Sequence, residues 1–131
     1  MPPGPHLRRI DSLKAARDLF ATLLEESMKE RLHVAHLDAD KRLLGLQMRF
    51  GSAGPAIDFP IRAIVGEALR LHSASLICAH NHPSGDPTPS QMDIEMTRQL
   101  VQAARPLGIN VQDHLIFGGG AFVSFRELGL L

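Results

Sequence analysis

An α/β domain with a mixed central β-sheet flanked by helices is the fold class this sequence predicts, and three observations carry the prediction. Segments with helical spacing of apolar residues alternate along the chain with short segments of strand type. Breaks rich in Gly, Pro and Asp separate them. The length, 131 residues, suits one compact domain with a core of its own.

Met1 to Pro5 is rich in Pro and Gly, so residues 1–10 are expected to form a flexible N-terminus ahead of a single domain over 11–131. Asp11-Ser12 is a capping pair, and Leu13, Ala16, Leu19, Phe20, Leu23 and Leu24 follow at helical spacing. From Arg31 to Leu37 residues alternate between two faces, Asp38-Ala39-Asp40 supplies turn chemistry, and Leu43 to Phe50 is apolar. That pattern predicts a β-hairpin. Gly51 to Pro55 breaks it, and Pro60 can open a helix whose stripe is Ile61, Ile64, Val65, Ala68, Leu69 and Leu71. Ser75 to Ala79 is a short apolar run of the kind that forms a buried strand, ending at His80. Asn81 to Pro89 holds three prolines and a glycine and must be loop. Ser90 then stands where a helix N-cap belongs, with the helix running through Ile94, Leu100, Val101 and Ala104. Ile109 to Phe117, Gly118-Gly119-Gly120 and Ala121 to Phe125 predict a second hairpin.

Composition narrows the function classes. Hydrophobic residues make up 44% and charged residues 21%, which excludes wholesale disorder. Fourteen Lys and Arg balance fourteen Asp and Glu, so there is no basic excess to offset phosphate charge. Direct nucleic-acid binding is not expected on that count. The single cysteine, Cys78, cannot form an internal disulfide, and with no apolar targeting segment the expected location is cytoplasmic. No apolar run approaches the roughly 18 residues of a membrane span.

Two histidines stand one residue apart beside the Pro/Gly loop. A strand has a side-chain period of two, so His80 and His82 point the same way and can meet one ion. Asp93, in the first turn of the next helix, can turn its carboxylate back toward them, and the helix N-terminus favours its charge. Three ligands of N and O type leave a tetrahedral Zn²⁺ one open position, as in a catalytic zinc site. Ser90-x-x-Asp93 is also a capping arrangement, and the two roles can coexist.

The run from His80 to Asp93 fits His-x-His, seven residues, Ser, two residues, Asp, without a gap. In this it resembles the JAMM (JAB/MPN) metalloproteases. The wording from Ala79 to Ser90, with Asp113-His114 and the stretch from Gly120 to Glu127, is similar to the bacterial RadC branch, from about Glu26 to the C-terminus. The resemblance implies a single JAMM/MPN-like, cytidine-deaminase-like domain. It also implies one zinc per chain on His80, His82 and Asp93, and an amide-cleaving hydrolase of metallopeptidase or isopeptidase type acting on a peptide or protein. A glutamate at the head of an early strand serves that family as general base, and Glu30 stands in its place, whereas Glu25 and Glu26 lie too far upstream. Glu30 would take a proton from the zinc-bound water and return it to the leaving amine, and Ser90 would hydrogen-bond the oxyanion. JAMM-like domains often pair, which leaves a homodimer open. RadC proteins usually carry an N-terminal helix-hairpin-helix region, a DNA-binding module; only about 25 residues precede the resemblance here, so the expectation is a domain without that region. The RadC name nonetheless keeps a second class in view: a zinc-bearing accessory domain in DNA repair or mobile-element biology, with little turnover.

Other candidates have plainer roles. Cys78 shares a strand face with His80, yet a lone cysteine in an apolar strand is more often a small buried hydrophobe than a ligand. His114 after Asp113 is either an orienting partner for a ligand or an ordinary strand residue. His33 and His36 fall on opposite strand faces and cannot share an ion. Asp86 suits turn chemistry. The consecutive letters His-Asn-His carry no nuclease signal, and a zinc deaminase is excluded because no His-x-Glu with a later Pro-Cys-x-x-Cys is present.

Overall fold

The computed structural model describes residues 8–24, 29–50 and 60–131. Helix α1 spans Leu13–Leu24, strands β1 and β2 span Arg31–Leu37 and Leu43–Phe50, and α2 spans Ile61–Leu71. Strand β3 is Ser75–Asn81, α3 is Gln91–Ala104, β4 is Asn110–Gly118 and β5 is Ala121–Ser124. The five strands form one sheet in the order β2-β1-β3-β4-β5, antiparallel except for the parallel pair β3 and β4 that α3 connects. This is the mixed α/β architecture the sequence predicts, and each predicted helix and hairpin is present. The Gly51 to Pro55 break, Met1 to Pro5, Glu25 and Glu26 lie outside the described residues.

Alternate residues of the central strands feed two cores. Ala35, Leu37, Ile77, Ala79, Leu115 and Phe117 pack with α1, through Ala16, Leu19, Phe20 and Leu24. Leu32, Val34, Leu76 and Cys78 pack with Ile64 and Ala68 of α2 and Leu100 and Ala104 of α3. Because helices cover both faces, β1 is buried along almost its whole length, and the polar-apolar alternation expected of a half-exposed strand is lost. The helix starts follow the predicted chemistry: Ser12 Oγ accepts from the Ala15 N–H at 3.0 Å, and Asp38 Oδ1 accepts from the Asp40 and Arg42 N–H groups in the β1–β2 turn.

The N-terminal boundary differs from the expectation. Residues 1–7 are outside the described set, but Arg8 to Ile10 are tied to the β1–β2 turn by backbone hydrogen bonds, with Ile10 buried and the two arginines exposed. The Leu43 N–H donates to the Arg8 carbonyl and the Ile10 N–H to the Lys41 carbonyl, each at 2.8 Å. Ile10 is fully buried in the α1 core. The apolar Ile10 is the physical reason, since it sits just upstream of the cap and closes the end of the sheet.

Candidate metal centre

Strand β3 carries His80 on the α3 side of the sheet, since its pairing partner Leu32 belongs to the α2/α3 core. The chain leaves the strand one residue later, and the His82 N–H still donates to the Phe117 carbonyl at 2.7 Å, extending the parallel pairing. Two Nε2 atoms, of His80 and His82, therefore come to 3.0 Å. Asp93 arrives from the first turn of α3. Its Oδ1 lies 3.3 Å from His80 Nε2 and its Oδ2 3.1 Å from His82 Nε2. The same carboxylate completes a capping box with Ser90: the Ser90 N–H donates to Asp93 Oδ2 at 2.8 Å, and the Asp93 N–H to Ser90 Oγ at 3.0 Å. Capping and convergence on the histidines occur together. Glu30, immediately before β1, places Oε1 4.0 Å from His80 Nε2.

Glu30, His80 and His82 offer ligand atoms within 4.8 Å of one another and could hold a metal. Tetrahedral N/O ligands with 2.0–2.2 Å bonds stand about 3.3–3.6 Å apart. His80 Nε2 and His82 Nε2 stand a few tenths of an ångström inside that edge, and each faces a different oxygen of the Asp93 carboxylate at about the same range, so the donors are close enough to share one ion. The 4.0 Å separation from Glu30 to His80 exceeds it.

Hydrogen bonds made by the far atoms of each ring point the near atoms inward. His82 Nδ1 lies 2.8 Å from the Asp86 carbonyl, which can only accept. In the neutral ring the proton therefore sits on Nδ1 and the Nε2 lone pair is the one offered. Asp86 itself is held by its turn, its Oδ1 accepting from both the Thr88 N–H and the Thr88 hydroxyl. His80 Nδ1 lies 2.7 Å from His114 Nε2. His114 is thus an inward-facing partner of His80 rather than a plain strand residue.

Electrostatics separate the two carboxylates. Burial pushes Asp93 upward, but hydrogen bonds from His80 and His82 outweigh it and hold the carboxyl far below the usual range. Burial raises Glu30, opposed by the nearby histidines. His82 is raised, chiefly by its hydrogen bond to Asp93. Burial holds His114 well below an ordinary imidazole. The result is a charged Asp93 carboxylate beside a Glu30 carboxylate with enhanced proton affinity. Cys78 is fully buried and burial pushes its thiol up to about 12, so it behaves as a small hydrophobe and not as a thiolate ligand. His36 is a structural residue, its Nδ1 3.1 Å from Ser73 Oγ and its Nε2 3.1 Å from Gln47 Oε1.

Sequence reasoning missed two contributors. Asn81, between the two histidines, faces the opposite side of the sheet and clamps the residues flanking Glu30. Its Oδ1 accepts from the Arg31 N–H at 2.7 Å and its Nδ2 donates to the Lys29 carbonyl at 3.0 Å. The signal was an amide with both donor and acceptor at a strand end, between two residues committed to the other face. The second is the glycine turn between β4 and β5. A Cβ on Gly119 would stand 2.5 Å from the Gly85 carbonyl oxygen, and Gly119 has φ +60°. Only glycine lets this turn lie against the loop that carries His82.

The RadC-like JAB domain family matches residues 10–130. The chain belongs to that family, which includes zinc metallopeptidases. It is 48% identical over 127 residues to a UPF0758 protein of Roseiflexus castenholzii, covering 97% of this chain and 54% of that protein. UPF0758 proteins of Symbiobacterium thermophilum and Moorella thermoacetica are 41% and 42% identical, over 95% and 91% of this chain and 54% and 53% of theirs. The chain spans about half the length of the curated relatives it matches. Among the described residues no helix is long and apolar enough to cross a membrane.

Proposed function

We propose that this domain is a zinc-dependent amide hydrolase of metallopeptidase or isopeptidase type, with His80, His82 and Asp93 as ligands and Glu30 as general base. The observation that carries the proposal is the convergence of two Nε2 atoms and the Asp93 carboxylate at 3.0–3.3 Å, with a fourth group, Glu30, held just outside that distance. Zinc, when bound, acidifies water and polarises a carbonyl as a Lewis acid. Glu30 takes the proton of the attacking water and returns it to the leaving amine, a task its burial-raised proton affinity suits. Ser90 Oγ uses a lone pair on the Asp93 N–H, which leaves its hydroxyl proton free to donate to the developing oxyanion. The substrate class is a peptide or protein presenting an amide to Glu30 and Ser90.

The presence of both Glu30 and Ser90 favours hydrolysis over the accessory-domain reading, for which the three ligands alone would suffice. Metal content of protein purified without an affinity tag tests the site: about one zinc per chain, lost in His82→Ala, supports it. Glu30→Gln should keep the zinc and lower hydrolysis of a peptide-amide library by about 10²–10⁴-fold. Zinc binding with hydrolysis that Glu30→Gln leaves unchanged would remove Glu30 from the mechanism.

A further inference from the structure

We propose that Thr97 and His114 are positioning residues: a one-way hydrogen-bond relay from α3 through β4 that sets the tautomer of His80 and so presents its Nε2 lone pair to the metal. The proposal rests on the zinc-site reading above and adds two residues that touch neither metal nor substrate.

The direction of the relay follows from its first link. Thr97 Oγ1 lies 2.7 Å from the Asp93 carbonyl oxygen, which can only accept, so the hydroxyl proton goes there. The same Oγ1 lies 2.7 Å from His114 Nδ1. With its one proton committed, the hydroxyl must accept, and His114 Nδ1 must carry the hydrogen. His114 is fully buried, and its ring stacks on Phe125 with centroids 4.6 Å apart and planes 24° apart. Such a site favours the neutral imidazole, which has one proton to place. His114 Nε2 is therefore bare, and at 2.7 Å it accepts from His80 Nδ1. The neutral form of His80 spends its one proton in that bond, which leaves the Nε2 lone pair aimed at the space shared with His82 Nε2 and Asp93 Oδ1.

The relay leaves the backbone of Asp93, passes through Thr97 and His114 and ends on His80 Nδ1. Two ligands from different elements, β3 and α3, are thereby tied to each other by contacts that use none of the lone pairs offered to the metal. Reversing the first link would let His114 take the other tautomer, place the His80 proton on Nε2, and block the site. The hydroxyl is the only part of Thr97 the relay needs, so Val in its place keeps the shape and removes the direction.

The test uses three variants, Thr97→Val, Thr97→Ser and His114→Phe, with two readouts. Long-range ¹H–¹⁵N spectra of the metal-free protein at alkaline pH report the tautomer of His80 directly. Zinc affinity is read by competition with a chromophoric chelator. The wild type should show His80 protonated at Nδ1, and Thr97→Val a mixture of both forms. Zinc affinity should fall about 10–100-fold in His114→Phe and by about tenfold in Thr97→Val, with Thr97→Ser restoring both readouts. A wild-type His80 protonated at Nε2 would overturn the relay. So would a Thr97→Val protein with unchanged tautomer and affinity, or a Thr97→Ser protein no better than Thr97→Val. If the wild type binds no zinc, the metal reading fails, while the ¹⁵N spectra still decide the relay. If His114→Phe does not fold, the Thr97 pair decides it.

Discussion

Replacing Asn81 by Ala should uncouple zinc binding from base positioning. The change removes a 2.7 Å bond from the Arg31 N–H and a 3.0 Å bond to the Lys29 carbonyl. Asn81 is only 3% exposed, so water does not simply replace the lost amide. At roughly 1 kcal/mol net per bond the loss is about 2 kcal/mol. In a domain of this size that corresponds to a Tm lower by roughly 6–10 °C. The ligands themselves are held by other contacts: His80 by β1 and β4 pairing and by His114, and His82 by Phe117 and Asp86. Zinc stoichiometry should therefore stay near that of the wild type. Glu30, released on both sides, should lose its alignment, and a displacement of about 1 Å can cost about 10²-fold in rate. Circular dichroism gives the Tm, and amide hydrogen exchange at Arg31 gives a readout that needs no substrate: it should accelerate in the variant. A Tm within about 2 °C of wild type with an equally protected Arg31 amide would refute the clamp, as would loss of zinc in step with activity.

Other consequences follow from the same contacts. Gly119→Ala should destabilise the hairpin by at least about 1 kcal/mol, because both the positive φ and the 2.5 Å approach to the Gly85 oxygen penalise a Cβ; ¹⁵N shifts at His82 should move with it, and an unperturbed His82 would separate the turn from the site. Metal-free protein should lose stability as pH falls from 7.5 to 5.5. Burial lowers the folded pKa of His33, His36 and His114, so the unfolded chain binds more protons and each group contributes stability that is present above about 6.5 and lost below it. His82 is raised and acts in the opposite sense, gaining as pH falls. Three groups acting in one sense against one in the other set the expected sign. Denaturant titrations at the two pH values check the sign, and a protein more stable at 5.5 would contradict it.

Most of the architecture was legible because it depends on local patterns. The Ser12 and Ser90 caps, the Asp38 turn and the apolar stripes of α1 and α2 each declare themselves within a few residues. The convergence of His80, His82 and Asp93 was legible for the same reason: a period of two on a strand end and a cap three residues from an acid put the three side chains within reach of one another. What the sequence hides depends on which distant segment a residue meets. His114 lies 34 residues from His80, and its role exists only because β4 pairs in parallel with β3. Asn81 meets Lys29 and Arg31 across 50 residues or more, through antiparallel pairing of β1 and β3. Ile10 was assigned to a flexible terminus because one apolar residue in a polar stretch makes no periodic signal.

Each proposed ligand is anchored by contacts that do not need a metal, and this bears on whether the metal shapes the fold. His80 is anchored through Nδ1, His82 through Nδ1, and Asp93 through a capping box that any helix start could use. The two cores that flank the sheet contain no ligand residue. A structural zinc, by contrast, supplies folding energy outright, and the chain unfolds without it. Chelation here should leave the far-UV circular dichroism and the cooperativity of unfolding intact. Zinc should raise Tm only by the linkage expected of a ligand that binds the native state, about 2.7 kcal/mol at a hundredfold excess over Kd. Thermal melts over a range of free zinc measure that dependence. Collapse of secondary structure on chelation would show that the metal builds the domain, and would move the site from the catalytic to the structural class.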